Sequence, residues 1–449
     1  MVFADKYASA VARLNAESCA ERLAAAQELA ARVAGGDITL PVRTVEVNNH
    51  VHTCHSFSPY SPTAAAWGAL SAGLQAVGIM DHDSVAGVDE MLAAGAIFGI
   101  ATTAGFEVRV RMDDTPFAGR ALNGPGLTGI AYIAVHGIPA PMVARCAAFL
   151  RPVNTARNAR NRAMVARLNE LLRAQGIPEI DFDADVFAKS YATEGGSITE
   201  RHILAALSQK LIDLCGQGAA LVTLLEEKLK LELPGKIRGF LLDTANPHYL
   251  YDLLGVLKSS YTDAFFIDPG PEECPEVRQV LALAEEIGAI SAYAYLGDVT
   301  ESPTGDKKAE KFEDEFLDEL IICLRDLGFR AITYMPPRNT PEQLERIRTL
   351  CESNGLLQIS GVDINSSRQS FNCPEILDPR HAGLITATWA LIGHEKLASV
   401  APQFGFFQPA VVAKFPVLPD RLAAFAAVGQ ALDQHQPTIM PTVAREITD

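Results

Sequence analysis

The most constraining feature of this chain is a pattern in residues 45–107, where three polar clusters each follow a short apolar or β-branched run. They are His50-Val51-His52-Thr53-Cys54-His55, then Asp81-His82-Asp83, then Gly105-Phe106-Glu107. The order reads strand, ligands, helix, strand, ligands, helix, strand, ligand. In a βα-barrel, side chains at the C-terminal ends of successive strands converge on one mouth. The pattern therefore predicts a TIM-like α/β barrel with a metal centre at that mouth.

Residue spacing supports the metal reading. His50 and His52 lie two apart, so on a strand both imidazoles share one side, where they can grip one ion at about 2.0–2.2 Å. His55 has the other parity and joins them only if the chain has turned. The alternative for this cluster is a polar loop of satisfied histidines. Asp81-His82-Asp83 follows the short run Ile79-Met80. One of its carboxylates could hold a ligand tautomer from behind, or the triplet could be a helix-capping turn. Glu107 ends an apolar run, and a buried carboxylate needs a cation. Arg109 would supply it in an ion pair; metals bridged by Glu107 are the other possibility. Asp363, after Gly361, would complete a His/His/Glu/Asp set or else cap the turn at 366–369.

Composition narrows the function classes. The 449 residues are 48% hydrophobic and 20% charged, ample for a large core and more than one structural unit. A net charge of −16 argues against a nucleic-acid scaffold. An anionic substrate would need a cationic patch or a metal to offset that field. No apolar run approaches the ~20 residues of a membrane span. Residues 1–36 are charged and amphipathic, unlike a signal peptide, so a soluble cytoplasmic protein is expected. The eight cysteines form no CxxC pair and read as reduced thiols.

Periodicity places helices at 5–34, 63–77 and 84–98, with strands at 43–48, 79–80, 101–111 and 130–135. From 143 to about 235 the chain reads as mostly helical, an insertion between barrel strands. Strands then return at 237–242, 265–267, 289–296, 331–334 and 356–359. Helices at 249–259, 275–287, 312–327 and 340–354 alternate with them, and a charged loop is expected at 297–311. Two apolar helices, 382–397 and 418–432, close the chain. The expected units are an N-terminal helical extension (1–42), barrel first part (43–140), helical insertion (141–236), barrel second part (237–378) and C-terminal helical extension (379–449). The terminal helices leave a homo-oligomer open.

His-x-His-Thr, Asp-His-Asp, Gly-x-Glu and a final Gly-x-Asp together resemble the PHP (polymerase and histidinol phosphatase) superfamily. The insertion after Val135 resembles that of its nucleotide phosphoesterase branch. The likeness covers roughly residues 44–370. It implies a distorted (βα)7 barrel with a multi-metal mouth, His50, His52, Glu107 and Asp363 as ligands of one metal, and His82 as ligand of a second. The sequence departs from the family pattern at Phe57, where Asp is usual, and at Asn365, where His is usual. Tyr132 and Tyr295 fall where two strand histidines would hold a further metal. His55 is a possible substitute ligand at the second site; His136 and Asp298 could serve the further one only with a shifted register. In the insertion, Arg157, Arg160 and Arg167 fall at near-helical spacing and Thr199-Glu200-Arg201-His202 opens a helix. The resemblance implies that Arg160 and His202 bind substrate phosphate, although Glu200 sits where arginine is common; a solvated helix face is the alternative.

These readings lead to a divalent-metal-dependent phosphoesterase acting on a small phosphomonoester or nucleotide. The expected cofactor is one or two ions of manganese, zinc or iron, held by imidazole and carboxylate. His82 or His55 would protonate the leaving oxygen. Two other readings stand beside it: a degenerate barrel that binds without hydrolysis, and a mononuclear metal hydrolase acting on a C–N bond.

Overall fold

A computed structural model describes residues 7–124, 126–299 and 311–448, without the side chains of 443 and 446–448. Most of the loop expected at 297–311 lies outside the described residues. One sheet contains β1 (Val47–Val51), β2 (Ala76–His82), β3 (Ala101–Arg111), β4 (Ile130–His136), β5 (Ile290–Tyr295), β6 (Ala331–Tyr334) and β7 (Leu357–Ser360), in chain order. Only β4 runs antiparallel to its neighbours; the other pairs are parallel. A parallel bridge from Val51 to Ile364 brings the ends together. His52 N–H donates to the Ile364 carbonyl at 2.9 Å, and Ile364 N–H donates to the His50 carbonyl at 3.1 Å. The result is a distorted, nearly closed, TIM-like barrel.

The helices are α1 (Ala8–Arg13), α2 (Cys19–Ala34), α3 (Pro62–Ser71), α4 (Val88–Phe98), α5 (Val143–Ala174), α6 (Glu200–Cys215), α7 (Ala219–Thr223), α8 (Gly235–Leu242), α9 (Tyr249–Ser260), α10 (Val277–Ile287), α11 (Leu317–Leu327), α12 (Pro341–Asn354), α13 (Ala382–Val400), α14 (Pro409–Lys414), α15 (Leu418–Ala431) and α16 (Pro441–Thr448). Local chemistry sets several ends. Ser61 caps α3 by accepting from Ala64 N–H, with Pro62 at the first turn. Gly99 closes α4 in the left-handed region. None of the helices among the described residues is long and apolar enough to cross a membrane.

Strand alternation sorts the side chains. Val77, Ile79, Phe106, Val108, Ile133, Tyr293 and Tyr295 join the main core with the surrounding helices. Met80, Ala134, Ala292, Ala331, Leu357 and Ile359 form a second cluster with Ala387 and Leu391 of α13. That helix seals the end of the barrel away from Glu107. A third cluster belongs to the insertion, built from α5, α6 and α9.

Several expected elements differ. The helix expected at 5–34 is two helices, parted where the Asn15 side chain turns aside to accept from Ser61 N–H at 2.7 Å. The first strand starts at Val47 rather than 43, which places His50 inside it. The helix expected to reach 77 stops at Ser71, and β2 takes Ala76 onward. Residues 237–242 form α8 and 265–267 form no strand. Ile237, Phe265, Phe266 and Ile267 all pack on the insertion's own cluster and meet no open strand edge. The apolar runs are alike in sequence; the available neighbour decides between helix and strand.

Gly78 lies mid-strand because a Cβ there would meet Thr103 Oγ1 at 2.3 Å and the Asn49 Cα at 2.9 Å. Gly78→Ala is expected to destabilise the fold by about 1–3 kcal/mol through overpacking between β1 and β3. A denaturation midpoint equal to that of the parent would refute this account of the barrel wall.

Candidate metal centre

The three clusters meet. On β1, His50 and the adjoining His52 point to the barrel interior, and the β2–β3 register sets His82 beside Glu107. Glu107 is the shared partner. Its Oε2 lies 3.6 Å from His50 Nε2, while Oε1 lies 3.3 Å from His52 Nε2 and 2.8 Å from His82 Nδ1. Asp363 reaches the same point from beyond β7, its Oδ1 3.2 Å from His52 Nε2. The imidazole rings are also packed: His52 stacks on His82 at 4.6 Å between centroids and meets His50 edgewise at 5.1 Å. Arg109, two residues from Glu107 on the same strand, bonds elsewhere.

Delivery of Asp363 depends on Gly361, where a Cβ would fall 2.5 Å from His50 Cβ and 2.7 Å from its nitrogen. Asn48 stitches that crossing together. Its Oδ1 accepts from His50 N–H and Val362 N–H, both at 2.9 Å, and its Nδ2 donates to the Val362 carbonyl at 3.0 Å.

The tautomer of His52 follows from its neighbours. Asp81 accepts from Thr53 N–H, Thr53 Oγ1 and Ser56 Oγ, each at 2.6 Å. Ser56 gives its one proton to Asp81, so its oxygen accepts from His52 Nδ1 at 3.3 Å. In the neutral ring Nε2 then carries the lone pair, buried 3.3 Å from Glu107 Oε1 and 3.2 Å from Asp363 Oδ1. A lone pair facing two carboxylates calls for a positive charge among them. Burial pushes the His52 imidazole down, but Asp363 and then Glu107 outweigh it and hold it above its ordinary value. Burial opposes ionisation of Glu107 and Asp363, yet the imidazoles hold both far below the usual carboxylate range.

A divalent cation fits this donor set. Two ligands each about 2.1 Å from one ion stand about 3.0–3.4 Å apart at octahedral or tetrahedral angles, close to the separations around Glu107 and His52. The ligand atoms of His50, His52 and Glu107 lie within 4.8 Å of one another. All donors are nitrogen or oxygen, a set suited to manganese, zinc or iron alike.

The remaining expected residues are placed differently. Asn365 donates from Nδ2 to Asp363 Oδ1 at 2.6 Å, so it steadies that carboxylate. Arg201 of α6 in turn donates to the Asn365 carbonyl and Oδ1, at 2.9 and 2.7 Å. His55 faces the Tyr191 ring at 5.0 Å, away from the cluster, with its Nδ1 buried and unpartnered. His136 lies at the inner end of the reversed β4, paired with Gly105 rather than Glu107. Its Nε2 is buried and unpartnered, and burial pushes the imidazole down to about 3. Tyr132 faces inward and accepts from Arg109 Nε at 2.6 Å. Tyr295 faces the helices and donates to Asp314 Oδ1 at 2.6 Å, so it is not an interior position at all. Asp298 accepts from Phe312 N–H at 2.7 Å in the loop beyond β5.

Arg160 and His202 lie at the mouth but are engaged. Arg160 donates to Glu273 Oε2 at 2.5 Å and Oε1 at 2.8 Å, and to Glu200 Oε1 at 2.8 Å. Arg109 and Arg157 join the same group, Arg157 also pairing with Asp83 at 2.8 Å. Three guanidiniums thus face three carboxylates. His202 uses Nδ1 to accept from Thr199 N–H at 3.0 Å in a capping box, and burial lowers it to about 4. Its ring meets Phe57 edgewise at 4.9 Å. Phe57 holds φ +77°, a strained conformation for an aromatic residue.

Sequence reasoning did not find Ser56, Asn48, Glu273 or the role of Arg201. One signal existed: the buried Asn48-Asn49 pair is unusual in a strand.

No protein-family model matches the chain, and no curated protein matches it. The solved structures similar to it include two of hydrolase type. One is a provisionally assigned metal-dependent phosphoesterase from Bifidobacterium adolescentis, at 20% identity and TM-score 0.47, covering 76% of this chain and 96% of that one. The other is an amidohydrolase from Chromobacterium violaceum with bound sulfate and no metal, at 19% identity and TM-score 0.46, covering 73% and 90%. At these values neither likeness assigns an activity.

Ser56→Ala is expected to free the His52 ring and weaken divalent-metal affinity about 10–100-fold. Competition against a chelator measures it, and an unchanged affinity would refute the assigned tautomer.

Proposed function

We propose that the chain is a divalent-metal-dependent hydrolase, and more finely a phosphoesterase of a small phosphomonoester. The observation that carries the reading is the convergence of His50, His52, Glu107 and Asp363, with His52 Nε2 3.3 Å from Glu107 and 3.2 Å from Asp363. His50, His52, Glu107 and Asp363 would hold the ion, with His82 able to serve a second one across Glu107. When bound, such an ion acidifies water toward pKa ~7 and neutralises charge on phosphate oxygens.

The chain's own residues supply the rest. Ser56 and Asp81 orient His52, Asn365 orients Asp363, and Glu107 spans the three imidazoles. His82 is the part-exposed imidazole of the group, with 27% of its side chain accessible. Burial pushes it below its ordinary value against the pull of Glu107, so near neutral pH the ring is neutral and can serve as a proton acceptor. Arg109 and Arg160 provide guanidinium donors beside the centre, a chemistry matched to phosphate.

One observation favours a second reading. The three arginines are balanced by Asp83, Glu200 and Glu273, which leaves little net positive charge for a dianion. A hydrolase of a C–N bond in an uncharged substrate would suit that balance.

Purified protein is expected to contain a divalent metal and to hydrolyse a generic aryl phosphate. His52→Ala should lose the metal and lower turnover about 10²-fold or more. Metal without phosphatase turnover would overturn the phosphoesterase reading and favour the second; absence of metal binding would overturn both.

A further inference from the structure

The arginine cluster contains one carboxylate unlike the other two. The side chains of Asp83 and Glu273 are each 2% accessible, whereas that of Glu200 is 17% accessible. Glu273 bonds all three arginines and Asp83 locks Arg157, so both are built into the wall. Glu200 is the first residue of α6 and presents a single oxygen to two guanidiniums. Arg109 Nη2, from a barrel strand, donates to Oε1 at 3.0 Å, and Arg160 Nη2, from the insertion, donates to the same atom at 2.8 Å. Two cations from separate elements thus converge on one anionic oxygen.

This seat adjoins the metal centre. Arg109 follows Glu107 by two residues on β3, a rise of about 6.6 Å. Tyr132, bonded to Arg109, lies 5.6 Å ring to ring from His82. Without Glu200 the cluster holds three guanidiniums against two carboxylates. Arg109 keeps Tyr132 and Glu273, and Arg160 keeps Glu273 and the Ile267 carbonyl. Both would remain fixed, each with one donor turned to the vacated point. The flanking residues hold the helix start in place while Glu200 moves: Thr199 and His202 close the capping box, and Arg201 is anchored on Asn365.

We propose that Glu200 is an internal stand-in for a phosphoryl oxygen of the substrate and competes with it for the seat between Arg109 and Arg160. It is a specificity-determining residue: a ligand enters only if its anion displaces the Glu200 carboxylate, which swings into solvent by side-chain rotation. The proposal rests on the phosphoesterase reading for the identity of the anion and does not require the metal. A ligand that meets its seat only part of the time vacant loses affinity in proportion to that fraction.

The test is calorimetric titration of metal-free protein with inorganic phosphate at neutral pH. Glu200→Gln should bind phosphate about tenfold more tightly than the parent if the seat is vacant a tenth of the time. Glu200→Asp, which withdraws the charge by one methylene, should fall between. Adding Arg160→Ala to Glu200→Gln should abolish the gain. Glu273→Gln, inside the wall, should lower thermal stability without raising affinity. Equal affinity in the parent, Asp and Gln proteins, or a gain that survives loss of Arg160, would overturn the proposal. So would finding no phosphate binding in folded Glu200→Gln and Glu200→Asp. Failure to bind metal would sink the hydrolase reading and leave this measurement intact.

Discussion

A carboxylate cannot lie at the centre of a barrel unless something positive meets it. Glu107 is in that position, and its two oxygens are shared among His50, His52 and His82. The mouth of the barrel is arranged around this demand. The β2–β3 register brings His82 to Glu107, strand periodicity brings His50 and His52 to the same side, and Gly361 lets the chain cross close enough to bring Asp363. The Asp81–Ser56–His52 chain of hydrogen bonds then turns a lone pair toward two anions. Repulsion in that geometry is relieved by a cation, which gives the metal reading its physical basis.

The insertion completes the mouth instead of merely shading it. Residues 199–202 bridge two sides of the barrel. Glu200 reaches Arg109 on β3, and Arg201 reaches Asn365, which steadies Asp363. Position of the insertion and position of the Asp363 carboxylate are therefore coupled through Asn365. Phe57 contributes from the barrel side: its strained backbone sends the ring against His202. In place of the acid expected by family resemblance, this position supplies an aromatic anchor for the insertion.

Much of the first half was legible because local pattern and tertiary outcome agree there. Strands β3 and β4, the end of α4 at Gly99 and the candidate cluster of His50, His52 and Glu107 all follow from periodicity and residue type. The failures have separate causes. Residues 237–242 and 265–267 are short apolar runs, and period alone does not separate a buried strand from a helix face. Tyr295 was misplaced by register: a one-residue shift moves every side chain of a strand to the other face. Arg160 was legible as a cation at the mouth, but its carboxylate partners Glu200 and Glu273 lie 40 and 113 residues away.

The sequence by itself determined which chemistry this chain can hold: imidazoles and carboxylates spaced for strand ends, with enough apolar residues to bury them. Tertiary structure alone decided how each is used. It reversed β4, which set His136 deep and Tyr132 against Arg109, and it turned Ser56 and Asp81 into the support of His52. The reason is distance along the chain. Periodicity reports a residue's face within its own element, whereas hydrogen-bond partners and charge balance are set by elements that meet only when the barrel closes.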